Sequence, residues 1–244
     1  INAYRNRECD NVKIMVGNFQ DIEGSLREKY DYITLIGVFE YSEGYIGTEQ
    51  PYVEMLRRIA GHLAPGGKLV IAIENRLGLK YWAGCTEDHV GKYFEGLENY
   101  PDTKGVRTFS RKELQDLVAA AGNFKTTFYY PYPDYKFPMT IYSDKRLPKK
   151  GELKDNFCNF DRYRIQLFNE SRVYDSLVDA GLFPEFSNSF LLLVERNENY
   201  WGRSFSANIP MKEAVVLLYA QISLKKKKKS GWKKQRYIRK ERNM

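Results

Sequence analysis

The sequence predicts an α/β domain built on a doubly wound, mostly parallel sheet. Three observations carry this. Short apolar runs recur at Val12–Gly17 (VKIMVG), Tyr32–Phe39 (YITLIGVF) and Lys68–Glu74 (KLVIAIE). Segments of helical apolar spacing separate later runs, and turn-forming residues punctuate the boundaries. Near-continuous apolar runs fit strands buried on both faces, as in parallel sheets. Strand–helix alternation fits a doubly wound domain.

Taken in order, VKIMVG feeds the loop Asn18-Phe19-Gln20-Asp21, and Asp31 introduces the second run. A helix follows over about Gln50 to Leu63, where Tyr52, Met55, Leu56, Ile59 and Leu63 share one face. Pro65-Gly66-Gly67 ends it and turns into the third strand. Ser110-Arg-Lys-Glu113 is a capping box, opening a helix with Leu114, Leu117, Val118 and Ala121 on one face. Phe124–Tyr130 and Phe190–Val194 read as the last two strands. The residues between them, about 131–188, are too many for a plain hairpin loop. They read as an insertion with an amphipathic helix near Phe168 to Ala180.

Charge separates a body from a tail. The chain carries +8 over 244 residues, but residues 225–244 hold eleven Lys or Arg against one acid, Glu241. That tail alone is +10, so residues 1–224 sum to −2. A folded body of that charge is a poor nucleic-acid binder, and nucleic acid enters as a partner only if the basic tail is native. The tail admits three readings: an arm for anionic surfaces, a disordered end, or a segment that a frame slip in an adenine-rich run put in place of the native C-terminus. No apolar run approaches the ~18 residues of a membrane span, and no signal peptide is visible. Cys9, Cys85 and Cys158 have no CxxC spacing. Reduced thiols in a cytoplasmic protein are expected, with no metal site.

The strand ends are where a doubly wound sheet binds ligands, and they carry a resemblance. Val16-Gly17-Asn18-Phe19, Tyr30–Tyr41 and Leu63-Ala-Pro65-Gly66-Gly67-Lys68-Leu-Val-Ile71 together resemble class I, Rossmann-like, S-adenosylmethionine-dependent methyltransferases over roughly residues 1–130 and Phe190 to Glu195. The resemblance implies S-adenosylmethionine as cofactor, with Gly17, Asn18 and Phe19 at its adenine end and Gly37, Val38 and Phe39 behind its methyl group, and an antiparallel last strand, Phe190–Val194, paired with Phe124–Tyr130 at one edge of the sheet. Ala72–Gly84, Glu87-Asp88-His89 and Tyr129–Tyr135 are similar to a bacterial group associated with glycosyltransferases of surface-polysaccharide assembly. That implies a glycan or small-molecule acceptor and a fused or neighbouring glycosyltransferase. The family's first strand and Gly-x-Gly-x-Gly loop have no counterpart, since no two glycines sit two apart. The resemblance therefore places the sheet's first strands ahead of Ile1, with residues 1–224 forming the remainder of the domain.

The chemistry expected is an in-line displacement at an activated methyl group, where alignment does most of the work. A hydroxyl acceptor also loses a proton, which favours a nearby carboxylate or imidazole. Glu40 and His89 are the candidate catalytic groups; Tyr41, Asn75, Asp88 and Tyr130 are candidate acceptor contacts. Glu40, His89, Asn75 and Tyr130 each have a plainer reading: a helix-start or surface carboxylate, a satisfied histidine, a capped turn, a packed strand-end loop. Glu87, Asp88 and His89 are consecutive and are not expected to converge on an ion. No Asn-Pro-Pro-Tyr motif of amino-directed enzymes is present, which favours oxygen as acceptor. A nucleic-acid or small-molecule methyltransferase, or a non-catalytic module of the same fold, are the alternatives.

Overall fold

The structure is a computed structural model. It describes residues 15, 17–154, 156 and 164–197, and the backbone of 214–218. The tail at 225–244 and most of the expected strand at 12–17 lie outside the described residues.

After a short helical turn α1 (Phe19–Ile22), the elements are β1 (Tyr30–Ile36), α2 (Ser42–Tyr45), α3 (Pro51–Gly61), β2 (Leu63–Glu74) and α4 (Leu79–Trp82). Then come α5 (Arg111–Ala121), β3 (Phe124–Tyr132), β4 (Thr140–Ser143), α6 (Glu170–Asp179), α7 (Phe183–Phe186), β5 (Ser189–Arg196) and β6 (Ala214–Leu218). The helix expected near 168–180 is α6, capped by the Asn169 side chain on the Arg172 amide. The capping box at Ser110 is formed, with Glu113 closing it.

The strands make one six-stranded sheet in the order β4-β3-β5-β2-β1-β6. Here β1 runs parallel to β2 and to β6, while β2–β5, β5–β3 and β3–β4 are antiparallel. Strands β1, β2, β3 and β6 run one way and β4 and β5 run against them, so the sheet is mixed, and β5 is the antiparallel last strand expected from the sequence. The cause is that β5 inserts between β2 and β3, and β3 folds back on β4 as a hairpin. The expected antiparallel pair of β3 and β5 forms, with Phe128 opposite Leu192, but it lies inside the sheet. No strand was expected at 214–218; AVVLL is an apolar run too short for periodicity to classify.

Register explains the core. Ile33, Leu35, Leu69, Ile71, Ile73, Phe128, Phe190, Leu192 and Val194 share one sheet face and are all buried. They join Met55, Leu56 and Ile59 of α3, Leu114 and Val118 of α5, Tyr174 of α6 and Phe183 of α7 in one apolar cluster. On the opposite face Thr34, Ile36, Val70, Thr127, Tyr129, Leu191 and Leu193 are only half-buried. The doubly wound expectation is therefore met on one face among the described residues. Alternation between the two faces is what the apolar runs concealed, because Ile, Val and Leu occupy both.

Pro65-Gly66-Gly67 forms a bulge rather than a plain turn. Tyr30 pairs with Leu63 and Tyr32 with Lys68, so β2 spends more residues than β1 over the same span. Gly66 is left-handed at φ 74°, and a Cβ on Gly67 would stand 2.8 Å from the Tyr30 carbonyl. Only glycine fits the second position.

Candidate functional site

The site lies at the carboxyl ends of β1 and β2, which run parallel and so deliver their final residues to the same edge. After β1 the chain turns at Gly37, left-handed at φ 62°, whose amide donates to the Ala72 carbonyl at 3.1 Å. A 3-10 turn then buries Phe39 against Tyr52 and Phe109 and drives Glu40 inward, leaving it 1% exposed. Glu74 closes β2 and is fully buried.

The third group comes from the loop after α4. Glu87 shapes that loop: its carboxylate accepts from the amides of His89 at 2.7 Å and Val90 at 2.6 Å, and from the Tyr100 hydroxyl at 3.1 Å. Asp88 is held by Lys80 Nζ at 2.6 Å and the Tyr81 hydroxyl at 2.8 Å. His89 is thereby turned inward, its Nδ1 2.8 Å from the Tyr41 hydroxyl and its Nε2 3.4 Å from Glu74 Oε2. One ligating atom each from Glu40, Glu74 and His89 lies within 4.8 Å of the other two. Glu40 Oε2, Glu74 Oε2 and His89 Nε2 make no hydrogen bond. Glu74 Oε2 and His89 Nε2 thus have only their mutual ion pair, and Glu40 Oε2 has no partner.

Two lysines border the cluster. Lys136 Nζ is 3.1 Å from Glu74 Oε1, which the Tyr135 hydroxyl also approaches, at 3.3 Å. Lys80 bridges Asp88 and Asp134, the latter at 2.9 Å. A Cβ on Gly37 would stand 3.0 Å from the Tyr135 hydroxyl and 3.6 Å from Glu40 Oε1.

The charges interact strongly. Burial, reinforced by the Glu74 charge, pushes Glu40 up to about 8. Burial would also raise Glu74, but His89, Lys136 and Lys80 hold it well below the usual carboxylate range. Burial alone would lower His89, yet the Glu74 carboxylate pushes it up to about 9. Lys80 stays charged against its burial because Asp134, Asp88 and Glu74 surround it. At neutral pH the centre is therefore an imidazolium–carboxylate pair beside a largely protonated Glu40.

Of the residues singled out from sequence, the structure brings Glu40, Tyr41, Asp88 and His89 together, with Gly37 beside them. Val38 and Phe39 are in the same turn but buried in the core. Asn75 follows Glu74, but its side chain is committed: it donates to the carbonyls of Glu185 and Ser187 and accepts from the Leu77 amide. Tyr130 is fully buried, with its hydroxyl engaged by Asp144 and Arg111. Gly17, Asn18 and Phe19 are not brought to the cluster. Phe19 packs edge-on against His62, which immediately precedes β2, at the other end of the parallel strands. Glu23, with Arg58 at 3.4 Å and His62 at 3.5 Å, fastens that segment to the end of α3.

Sequence reasoning placed Glu74 at a strand end where ligands bind but gave it no role, and it did not name Lys80, Asp134, Tyr135 or Lys136 as site residues. The signal for Glu74 was present: a charged residue closing the apolar strand KLVIAIE at its carboxyl end. Lys136 gave none, because it reaches Glu74 only through the fold.

Fold and site define an α/β protein with a buried carboxylate–imidazole cluster at the ends of two parallel strands. No family model matches the chain, and no curated protein matches it in sequence. Among solved structures it is similar to a SAM-dependent methyltransferase, possible histamine N-methyltransferase, from Thermotoga maritima, at 13% identity and a TM-score of 0.32. That match covers 70% of this chain and 59% of the other, so the chain spans less than two thirds of that neighbour. So distant a likeness assigns no activity. Among the described residues no helix is long and apolar enough to cross a membrane.

Proposed function

We propose that this chain is part of an S-adenosylmethionine-dependent methyltransferase acting on a hydroxyl oxygen, with a sugar or glycan precursor as acceptor. The observation that carries the reading is the burial of Glu40 beside Glu74 and His89 at the carboxyl ends of β1 and β2. The resemblance of the strand ends to class I methyltransferases supplies the reaction class, and the antiparallel β3–β5 pair it implies is formed. The sugar acceptor rests on the resemblance of the loop around Glu87-Asp88-His89 alone.

S-adenosylmethionine supplies a methyl group already activated on a sulfonium. Gly37, beside Glu40, is where the resemblance puts its methyl end, whereas Asn18 and Phe19, which the resemblance gives to its adenine end, lie away from the cluster. For the acceptor, Glu40 is the group suited to proton removal. A carboxyl near 8 can be ionised in part at neutral pH and take the hydroxyl proton as the oxygen acquires the methyl group. His89, paired with Glu74 and raised to about 9, is a cation that steadies negative charge developing on that oxygen. Tyr41 fixes the imidazole through Nδ1. Lys80 and Lys136 keep Glu74 ionised.

The test is transfer of a labelled methyl group to a panel of nucleotide sugars and glycans, using the protein with all residues its gene encodes. Transfer that falls ~10²–10⁴-fold in folded Glu40→Gln supports the reading. Absence of both donor binding and transfer overturns it. Binding of a partner without transfer would favour the non-catalytic module, a reading to which the burial of Val38 and Phe39 lends weight.

A further inference from the structure

We infer that Glu40, Glu74 and His89 form a binding site for a divalent first-row cation, zinc by the chemistry of the donors. First, the donors come from three separate elements: the turn after β1, the end of β2, and the loop after α4. They converge although nothing in local sequence requires it. Second, each offers an atom with no hydrogen-bond partner, namely Glu40 Oε2, Glu74 Oε2 and His89 Nε2. Both glutamates are buried, at 1% and 0% exposure. A buried carboxylate oxygen without a partner is costly, and Glu40 Oε2 has none, while Glu74 Oε2 and His89 Nε2 have only each other at 3.4 Å; a cation would satisfy all three atoms at once. Third, the remaining atoms of the ligands are already oriented as metal ligands require. Tyr41 holds His89 Nδ1, leaving Nε2 for the metal, and Lys136 with Tyr135 holds Glu74 Oε1, leaving Oε2.

Imidazole with two carboxylates is a donor set suited to zinc, and to manganese or iron less selectively. Three protein ligands leave a fourth position open, the arrangement of catalytic rather than structural zinc. Bonds of about 2.0–2.2 Å need the donor atoms about 3.3–3.6 Å apart in a tetrahedron. The spread of up to 4.8 Å must therefore contract, a side-chain adjustment for two glutamates. Binding displaces the Glu40 proton and the His89 Nε2 proton. The cation also removes the like-charge conflict between the two glutamates. If the site belongs to the methyl-transfer centre, which rests on the function proposed above, the cation would replace the imidazolium as the charge facing the acceptor hydroxyl, whose proton would pass to the Glu40 carboxylate oxygen left off the cation.

The experiment is calorimetric titration of the chelator-treated chain with zinc chloride, paired with imidazole NMR of its two histidines, His62 and His89. One equivalent should bind and move the His89 ring signals, leaving those of His62 in place. Glu40→Gln and Glu74→Gln should each weaken binding by ~10-fold or more, and His62→Asn should not. Absence of saturable binding, movement of His62 instead of His89, or undiminished affinity in both folded glutamine variants would overturn the site. The NMR arm needs no substitution, so a variant that fails to fold leaves the test intact. Methyl transfer that depends on Glu40 without zinc binding would remove the cation and keep the proposed function. Zinc binding without transfer would do the reverse.

Discussion

His89 Nε2 stands 3.4 Å from Glu74 Oε2, and this contact decides which of two buried glutamates keeps its proton. Glu74 has the imidazole and Lys136 beside it and is ionised. Glu40 feels burial and the Glu74 charge and is raised to about 8.

Glu74→Gln removes the carboxylate that raises His89. The imidazole pKa should fall from about 9 to 6.5 or lower, read by NMR titration of chelator-treated protein. A raised histidine contributes stability that is full below 6.5 and lost as pH rises through about 9. The depressed Glu74 contributes above 4.5 and loses its share in more acid solution. The variant should thus be weakened most between 4.5 and 6.5, by about 3–5 kcal/mol for breaking a buried pair. An unchanged His89 titration would refute the pairing.

Glu40→Gln should behave in the opposite sense. A carboxyl raised in the folded state costs stability progressively as pH climbs from 4.5 to about 8. Glutamine has no such loss. Urea unfolding should show the variant level with the parent near pH 4 and more stable at pH 9, by about 2–4 kcal/mol. A variant weaker than the parent at pH 9 would contradict the like-charge account.

Gly37→Ala places a Cβ in a left-handed position, 3.0 Å from the Tyr135 hydroxyl. A loss of about 1–2 kcal/mol is expected from the backbone alone. Combining it with Tyr135→Phe should recover part of that loss, because the crowded atom is then gone. Equal stability of Gly37→Ala and the parent would show that the turn is not held as described.

Glu113→Ala removes the capping box of α5 together with the ion pairs to Arg76 at 2.7 Å and Arg107 at 3.0 Å. Burial would raise this carboxyl, but Arg76 and the Ser110 bonds hold it below its ordinary 4.5. Its contribution is present above that value and lost as pH falls through the lower folded one. A cost of about 1–2 kcal/mol at pH 7, shrinking in acid, is expected from thermal melts. A cost independent of pH would show that the Glu113 charge is not what holds the start of α5, since alanine itself favours the helix.

The sequence by itself determined what depends on neighbours in the chain. The Ser110–Glu113 cap, the amphipathic stripe of α3 and the apolar runs of β1 and β2 rest on local periodicity and short-range hydrogen bonds, so they were legible. Glu40 and His89 were legible too, as ionisable residues at a strand end and in a loop. The tertiary structure alone decided the rest. Insertion of β5 between β2 and β3 made the sheet mixed, a pairing between residues far apart in the chain. Glu23, by anchoring to Arg58 and His62, kept Asn18 and Phe19 from the end of the sheet where Glu40 lies. Glu74 became the hub only when His89 and Lys136 arrived from distant loops. The physical reason is range: propensity and capping act over a few residues, whereas burial and charge pairing act between whichever groups the fold sets side by side.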